Sequence, residues 1–326
     1  MTNRLHGAVA ASVTPLTAGG RALDTSAIGP LVAFLAEGGV DGLLACGTTG
    51  EGVLLTVAER RAVTEAFVAT RPSGFQVAIH AGAQTTADTI ALAAHAQWTG
   101  ADAVAVIAPP YFPLDAEELS RHLVSAANAS DPLPFYVYEF AGRSGYAIPP
   151  EVVRAVKARA PNVVGMKVSD APFEAVEPYL DLGLDVFIGN EPLALAGIER
   201  GAVGCVSGLA AAFPEITAAL VHDTSVDAHD QVCLLRDRLS GIPFHAALKE
   251  VLAARDVLPT TAVRPPLREL TDTERATART VARSVSVSSR SGGRTAGVDS
   301  TSRASSTSLS AAWNGMPASR SRNRHT

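Results

Sequence analysis

The chain has 326 residues, 47% hydrophobic and 18% charged, with a formal net charge of −5. This suits one large globular domain or two small ones. No stretch approaches the roughly 20 consecutive apolar residues of a membrane span. Charge is uneven: residues 284–326 carry six Arg and one Asp, leaving −10 on the rest, and an acidic body argues against nucleic acid as a partner, because phosphate binding needs clustered cations.

The N-terminus alternates like a strand and lacks the continuous apolar core of a signal peptide, so a cytoplasmic location is expected. Cys46, Cys205 and Cys233 form neither a disulfide framework nor a zinc spacing and are expected to be small buried hydrophobes. Only three lysines occur, Lys157, Lys167 and Lys249. One inside an apolar strand needs a reason.

In chain order, short apolar runs alternate with segments of helical spacing, the signature of a parallel sheet. Strands are expected over residues 7–14, 42–46, 75–81, 103–108, 134–140, 163–168, 185–189 and 203–207. Between them, helices are expected from about 24, from Thr56, and near 86–98, 116–127, after Pro149–Pro150, and near 173–180 and 193–199; another follows Pro214. Thr56 and Glu59 form a capping box.

Eight such units predict an α/β fold, a (β/α)8 barrel over residues 1–225. An open doubly wound sheet is the alternative, but no G-x-G-x-x-G follows the first strand. Residues 226–283 read as a C-terminal helical extension, with helix over 244–252 and 271–281. From Ser284 the chain turns Ser- and Arg-rich without apolar periodicity, and this tail, 284–326, is expected to be disordered.

Barrel chemistry sits at the C-terminal ends of the strands. Strand two ends in Gly47-Thr48-Thr49-Gly50-Glu51, whose hydroxyls and backbone N–H groups make an anion cradle suited to a carboxylate, or simply a glycine-rich turn. Strand four ends in a proline-stiffened loop presenting Tyr111, which serves chemistry or packs on a neighbouring loop or subunit. Alternation places Tyr136 and Tyr138 on one face of strand five, with Tyr138 near the mouth as a proton-transfer group. Arg143, just beyond, is either a clamp for a second carboxylate or a surface charge.

Lys167 ends strand six. A neutral buried amine is a nucleophile toward carbonyl carbon; a structural lysine would instead pair with a carboxylate, Glu51 or Asp170 being nearest in pattern. His80 and Glu139 lie near strand ends, but no H-x-H, H-E-x-x-H or DxD pattern supports a metal, and neither metal nor cofactor is expected.

Together, Gly-Thr-Thr-Gly-Glu, the Pro-Tyr-Phe-Pro loop, Tyr138 with Gly-Arg-Ser-Gly, and Gly-Met-Lys167 resemble the dihydrodipicolinate synthase / N-acetylneuraminate lyase family over about residues 5–270. Later segments, Gly204-Cys-Val-Ser-Gly, Ala247-Leu-Lys-Glu and Arg264-Pro-Pro-Leu, agree. The resemblance implies that Lys167 forms a Schiff base with pyruvate or another 2-oxo acid, and that the derived enamine adds to a small aldehyde or results from cleavage of a longer acid. It implies that Gly47, Thr48 and Thr49 hold the carboxylate, and that Tyr138, Thr48 and Tyr111 relay protons, Tyr111 from a neighbouring subunit. Val206 would line the pyruvate pocket. The assembly implied is a homotetramer, a dimer of tight dimers.

Arg143 matches the synthase that uses aspartate semialdehyde, 4-hydroxy-tetrahydrodipicolinate synthase. Glu139-Phe140-Ala141, Pro110 and Ser207-Gly208-Leu209-Ala210 depart from its pattern. They leave a 2-keto-3-deoxy sugar acid aldolase or dehydratase as the alternative, with Glu139 available to a hydroxylated substrate. A non-catalytic 2-oxo-acid sensor and a metal-dependent aldolase are the other classes to be separated.

Overall fold

The computed structural model describes residues 4–290. Eight parallel strands close in sequence order: β1 (Gly7–Ala11), β2 (Gly42–Ala45), β3 (Gln76–His80), β4 (Ala103–Ile107), β5 (Phe135–Glu139), β6 (Val163–Val168), β7 (Asp185–Ile188) and β8 (Gly204–Ser207). Ala8 beside Cys205 and Val9 beside Val206 join the last strand to the first. The (β/α)8 barrel expected from the alternation is therefore present, each strand lying within its expected run. The first strand stops at Ala11, three residues short of the expectation, as the chain approaches Pro15; the Ser12 N–H still reaches the Leu44 carbonyl at 3.0 Å.

The barrel interior pairs small residues with two large rings. Ala11, Ala78, Ala103 and Ala105 cluster with Val9, Leu44 and Val206 around Tyr136 and Phe187, whose rings meet edge to face at 5.8 Å. Small side chains on some strands make room for aromatics on others, which keeps the interior filled rather than porous. The Tyr136 hydroxyl accepts the Leu5 N–H at 3.0 Å, so its polar end is satisfied where the chain enters the barrel.

The connecting helices are α1 (Ile28–Glu37), α2 (Val57–Thr70), α3 (Thr86–Thr99), α4 (Ala116–Ser130), α5 (Ala141–Ser144), α6 (Pro150–Arg159), α7 (Glu177–Leu180), α8 (Ala194–Glu199) and α9 (Pro214–His222). The capping box of Thr56 and Glu59 opens α2, and Asp115 with Glu118 forms another at α4. Two details were not legible in sequence. The one-turn α5 follows β5 directly, and the expected helix over 173–180 splits into a 3-10 turn at Phe173–Ala175 and α7. Pro178, lacking an N–H, sits in the first turn of α7.

Beyond the barrel come α10 (Val226–Arg238), α11 (Phe244–Ala254) and α12 (Asp272–Arg290), and residues through Ser284 belong to one compact unit. Helix α12 runs past Ser284, where the sequence changes character. The expected disorder of the remaining tail, 291–326, lies outside the described residues. Cys46 and Cys205 are buried as expected, whereas Cys233 is half-buried on α10. Among the described residues no helix is long and apolar enough to cross a membrane.

Candidate active site

Tyr138 on β5 and Lys167 on β6 are register partners, so their inward side chains leave the barrel wall at one level. Lys167 Nζ lies 4.0 Å from the centre of the Tyr138 ring. The Tyr138 hydroxyl in turn lies 3.2 Å from Thr48 Oγ1. Amine, phenol and threonine hydroxyl thus form a continuous line across the mouth, from two paired strands and the turn that follows β2. Lys167 and Tyr138 are 7% and 1% exposed, which shields the line from bulk water.

Space for the lysine comes from Gly189, just past β7. A Cβ there would lie 2.9 Å from Lys167 Cε and 2.0 Å from Ser169 Oγ. Ser169, the next inward residue after Lys167, is buried and its hydroxyl makes no hydrogen bond. Neither residue was singled out in sequence; alternation from Lys167 would have found Ser169.

The two carboxylates that could have neutralised Lys167 are engaged elsewhere. Glu51 Oε1 lies 2.6 Å from Lys249 Nζ on α11, and Glu51 Oε2 accepts the Arg264 N–H at 2.6 Å. Asp170 accepts the N–H groups of Ala141 at 3.0 Å and Gly142 at 3.4 Å. Among the described residues no ion pair reaches Lys167.

The Gly47–Glu51 turn is held from several sides. Glu51 N–H donates to Thr48 O at 3.1 Å, Gly52 N–H to Gly47 O at 3.1 Å, and Thr14 Oγ1 to Gly50 O at 2.7 Å. Glycine is required at 52, where a Cβ would lie 1.8 Å from the Cys46 carbonyl oxygen. Thr49 is buried, and Gly208 beyond β8 leaves room beside it: a Cβ there would lie 3.3 Å from Thr49 Oγ1 and 3.0 Å from the Phe244 ring. Val206 belongs to the barrel interior, 4% exposed.

Arg143 sits on α5, the turn held by Asp170, with its guanidinium 5.6 Å from the centre of the Phe140 ring. Burial pushes the His245 ring on α11 down, and the charges of Arg143 and Lys249 add to the fall against the pull of the Thr48 carbonyl and Glu51. Tyr111 is not brought to Thr48 or Tyr138 by its own chain. It is 83% exposed, in the left-handed region at φ 85°, with Phe112 edge-on at 4.8 Å.

Glu139 corrects an expectation. Alternation turns it away from Tyr138, and its carboxylate accepts the Ile148 N–H at 2.8 Å behind the strand, so it is not presented to a substrate at Lys167. Burial pushes its carboxyl up to about 8, with Asp170 adding to the rise against the pull of the Ile148 N–H. His80 is likewise committed: Nδ1 donates to Cys46 O at 3.1 Å and Nε2 accepts from Ile107 N–H at 3.4 Å, and burial drives the ring down to about 3. It packs edge-on against Tyr138 at 5.8 Å as a neutral wall.

The model of the Dihydrodipicolinate synthetase family matches residues 4–284. The chain belongs to this family. A 4-hydroxy-tetrahydrodipicolinate synthase of Synechococcus sp. (strain CC9605) is 33% identical over 283 residues, 81% of this chain and 90% of that protein. An uncharacterized DapA-like lyase of Halobacterium salinarum (strain ATCC 29341 / DSM 671 / R1) is 33% identical over 287 residues, 83% and 91% of the two chains. Among solved structures, N-acetylneuraminate lyase of Proteus mirabilis superposes with a TM-score of 0.78 at 29% identity, covering 86% of this chain and 99% of its own. The family's members are lyases and synthases, and this chain is an enzyme of the lyase class.

Proposed function

We propose that Lys167 forms a Schiff base with pyruvate or a closely related 2-oxo acid, and that the enzyme makes or breaks a carbon–carbon bond through the derived enamine, as a 4-hydroxy-tetrahydrodipicolinate synthase-like enzyme joining pyruvate to aspartate semialdehyde. The observation that carries this is the placement against Tyr138, whose hydroxyl meets Thr48, of an amine with no ion-pair partner among the described residues.

The amine adds to the C2 carbonyl, giving a carbinolamine; loss of water gives the imine. A C3 proton then leaves and the electron pair enters the enamine. C3 attacks the aldehyde carbon, whose oxygen takes up a proton, and one water hydrolyses the new imine to free Lys167. Tyr138 is the proton carrier within reach of C2 and C3, and Thr48 extends the path. Thr48, Thr49 and the backbone of Gly47 cradle the carboxylate. Arg143 clamps the second carboxylate. No step requires a metal or an organic cofactor.

Tyr111 completes the relay from a neighbouring copy in a homotetramer of tight dimers. Its exposure beside Phe112, at 83% and 66%, supports this by leaving an aromatic surface uncovered in the single chain. The enzyme works in the cytoplasm.

A second reading, a 2-keto-3-deoxy sugar acid aldolase or dehydratase, is favoured by one observation: the buried, unpartnered Ser169 hydroxyl beside the Lys167 stem could receive a substrate hydroxyl. The test is incubation with pyruvate, reduction with borohydride, and peptide mapping, followed by assays with aspartate semialdehyde and with keto-deoxy sugar acids. Absence of an adduct on Lys167 would falsify the Schiff-base assignment; turnover of sugar acids alone would select the second reading.

A further inference from the structure

His245 and Lys249 stand four residues apart on α11 and therefore share one face. That face grips the strand-two turn at two points. Lys249 takes the Glu51 carboxylate, and His245 Nε2 lies 2.9 Å from the Thr48 carbonyl oxygen. A carbonyl only accepts, so Nε2 carries the hydrogen and donates. The carbonyl's other partner is the Glu51 N–H of the same turn.

The two contacts do different work. The Lys249–Glu51 pair is excluded from solvent and anchors the far end of the turn. His245 is half-buried and bonds to the residue whose hydroxyl meets Tyr138. The turn is rich in glycine, at 47, 50 and 52. Such backbone resists rotation of a peptide plane poorly, so a bond from outside the turn adds to the Glu51 N–H in setting the direction of Thr48. The His245 side chain bonds the Thr48 backbone from outside the turn. The neighbouring Phe244 ring closes against Gly208, which also borders Thr49.

We infer that His245 is a positioning residue: by holding the Thr48 carbonyl it aims the Thr48 hydroxyl at Tyr138 and sets the efficiency of proton transfer at C3 of the bound 2-oxo acid. The inference rests on the Schiff-base reading of Lys167. It adds a specific role for the C-terminal helical segment, which contributes to the relay without touching substrate.

The test uses pyruvate alone and the full chain, so it needs no knowledge of the aldehyde. Exchange of the pyruvate methyl protons in D2O, followed by NMR, reports C3 deprotonation, and borohydride trapping reports imine formation. His245→Ala should still trap pyruvate on Lys167 while exchanging methyl protons about 10- to 100-fold more slowly, the loss typical of a small misplacement of a catalytic group. Because Thr48 also belongs to the carboxylate cradle, the exchange rates are compared at saturating pyruvate. His245→Gln, whose amide N–H can reach the same carbonyl, should recover most of the rate, and should do so even if the Ala variant folds poorly. A purely structural role would lower the melting temperature of both variants without this split. Absence of an adduct in the unmodified protein sinks the Schiff-base reading and this inference with it. If that adduct forms and His245→Ala exchanges at the unmodified rate, or His245→Gln is as slow as His245→Ala, the His245 assignment alone is overturned.

Discussion

Lys249 Nζ sits 2.6 Å from Glu51 Oε1, with both side chains essentially excluded from solvent. The pairing has a consequence at the other end of the site. Glu51 was one of two carboxylates able to neutralise Lys167, and Lys249 holds it while Asp170 caps α5. Neither of these two carboxylates forms an ion pair with Lys167.

Lys167→Arg should abolish borohydride-trapped pyruvate, because a guanidinium stays protonated and does not add to a ketone. Intact mass after reduction checks this. A circular dichroism spectrum matching the unmodified protein shows that the barrel survives.

Lys249→Met should leave Glu51 buried without its cation and lower stability by about 3–5 kcal/mol, the usual penalty for breaking a buried pair from one side. Adding Glu51→Gln should recover part of that loss. Urea unfolding of the two single variants and the double variant gives the coupling directly; additive effects would contradict the pairing.

Tyr138→Phe removes the hydroxyl that meets Thr48 and keeps the ring beneath Lys167. Methyl-proton exchange of pyruvate should fall by about 10²–10⁴-fold, the range for loss of a general acid–base group. Trapping should be slowed but should still map to Lys167.

Glu139 makes stability depend on pH in a defined direction. Its folded value is raised to about 8 from an ordinary value of 4.5. Between these the folded state binds the extra proton, so Glu139's contribution is full below about 4.5 and is lost as pH rises through about 8. Urea unfolding at pH 5, 7 and 9 should show a decline that Glu139→Gln flattens. An equal decline in the variant would exclude Glu139 as its source.

Tyr111→Asp should dissociate the assembly and lower turnover together, because the residue is exposed in its own chain and assigned to the neighbour's relay. Light scattering against concentration, with activity on the same samples, checks the link. A dissociated variant with full activity would remove Tyr111 from the relay.

What the sequence determined by itself was local. Alternation of apolar runs marked eight strands and, within β5, put Tyr136 and Tyr138 on one face. Lys167 stood out as a lysine in an apolar strand, and Thr48–Thr49 as a glycine-flanked turn. These signals arise from residues two to four positions apart, so a linear reading reaches them. The one-turn α5 is too short to leave a period, and Glu139 commits its carboxyl to the Ile148 N–H, a contact nine positions along the chain.

Tertiary packing decided the rest. It made Tyr138 and Lys167 register partners, chose Lys249 over Lys167 for Glu51, and joined His245 to Thr48 across 197 positions of sequence. Ion pairs and hydrogen bonds over such separations depend on which helix lies over which loop, a property of packing that no local pattern encodes.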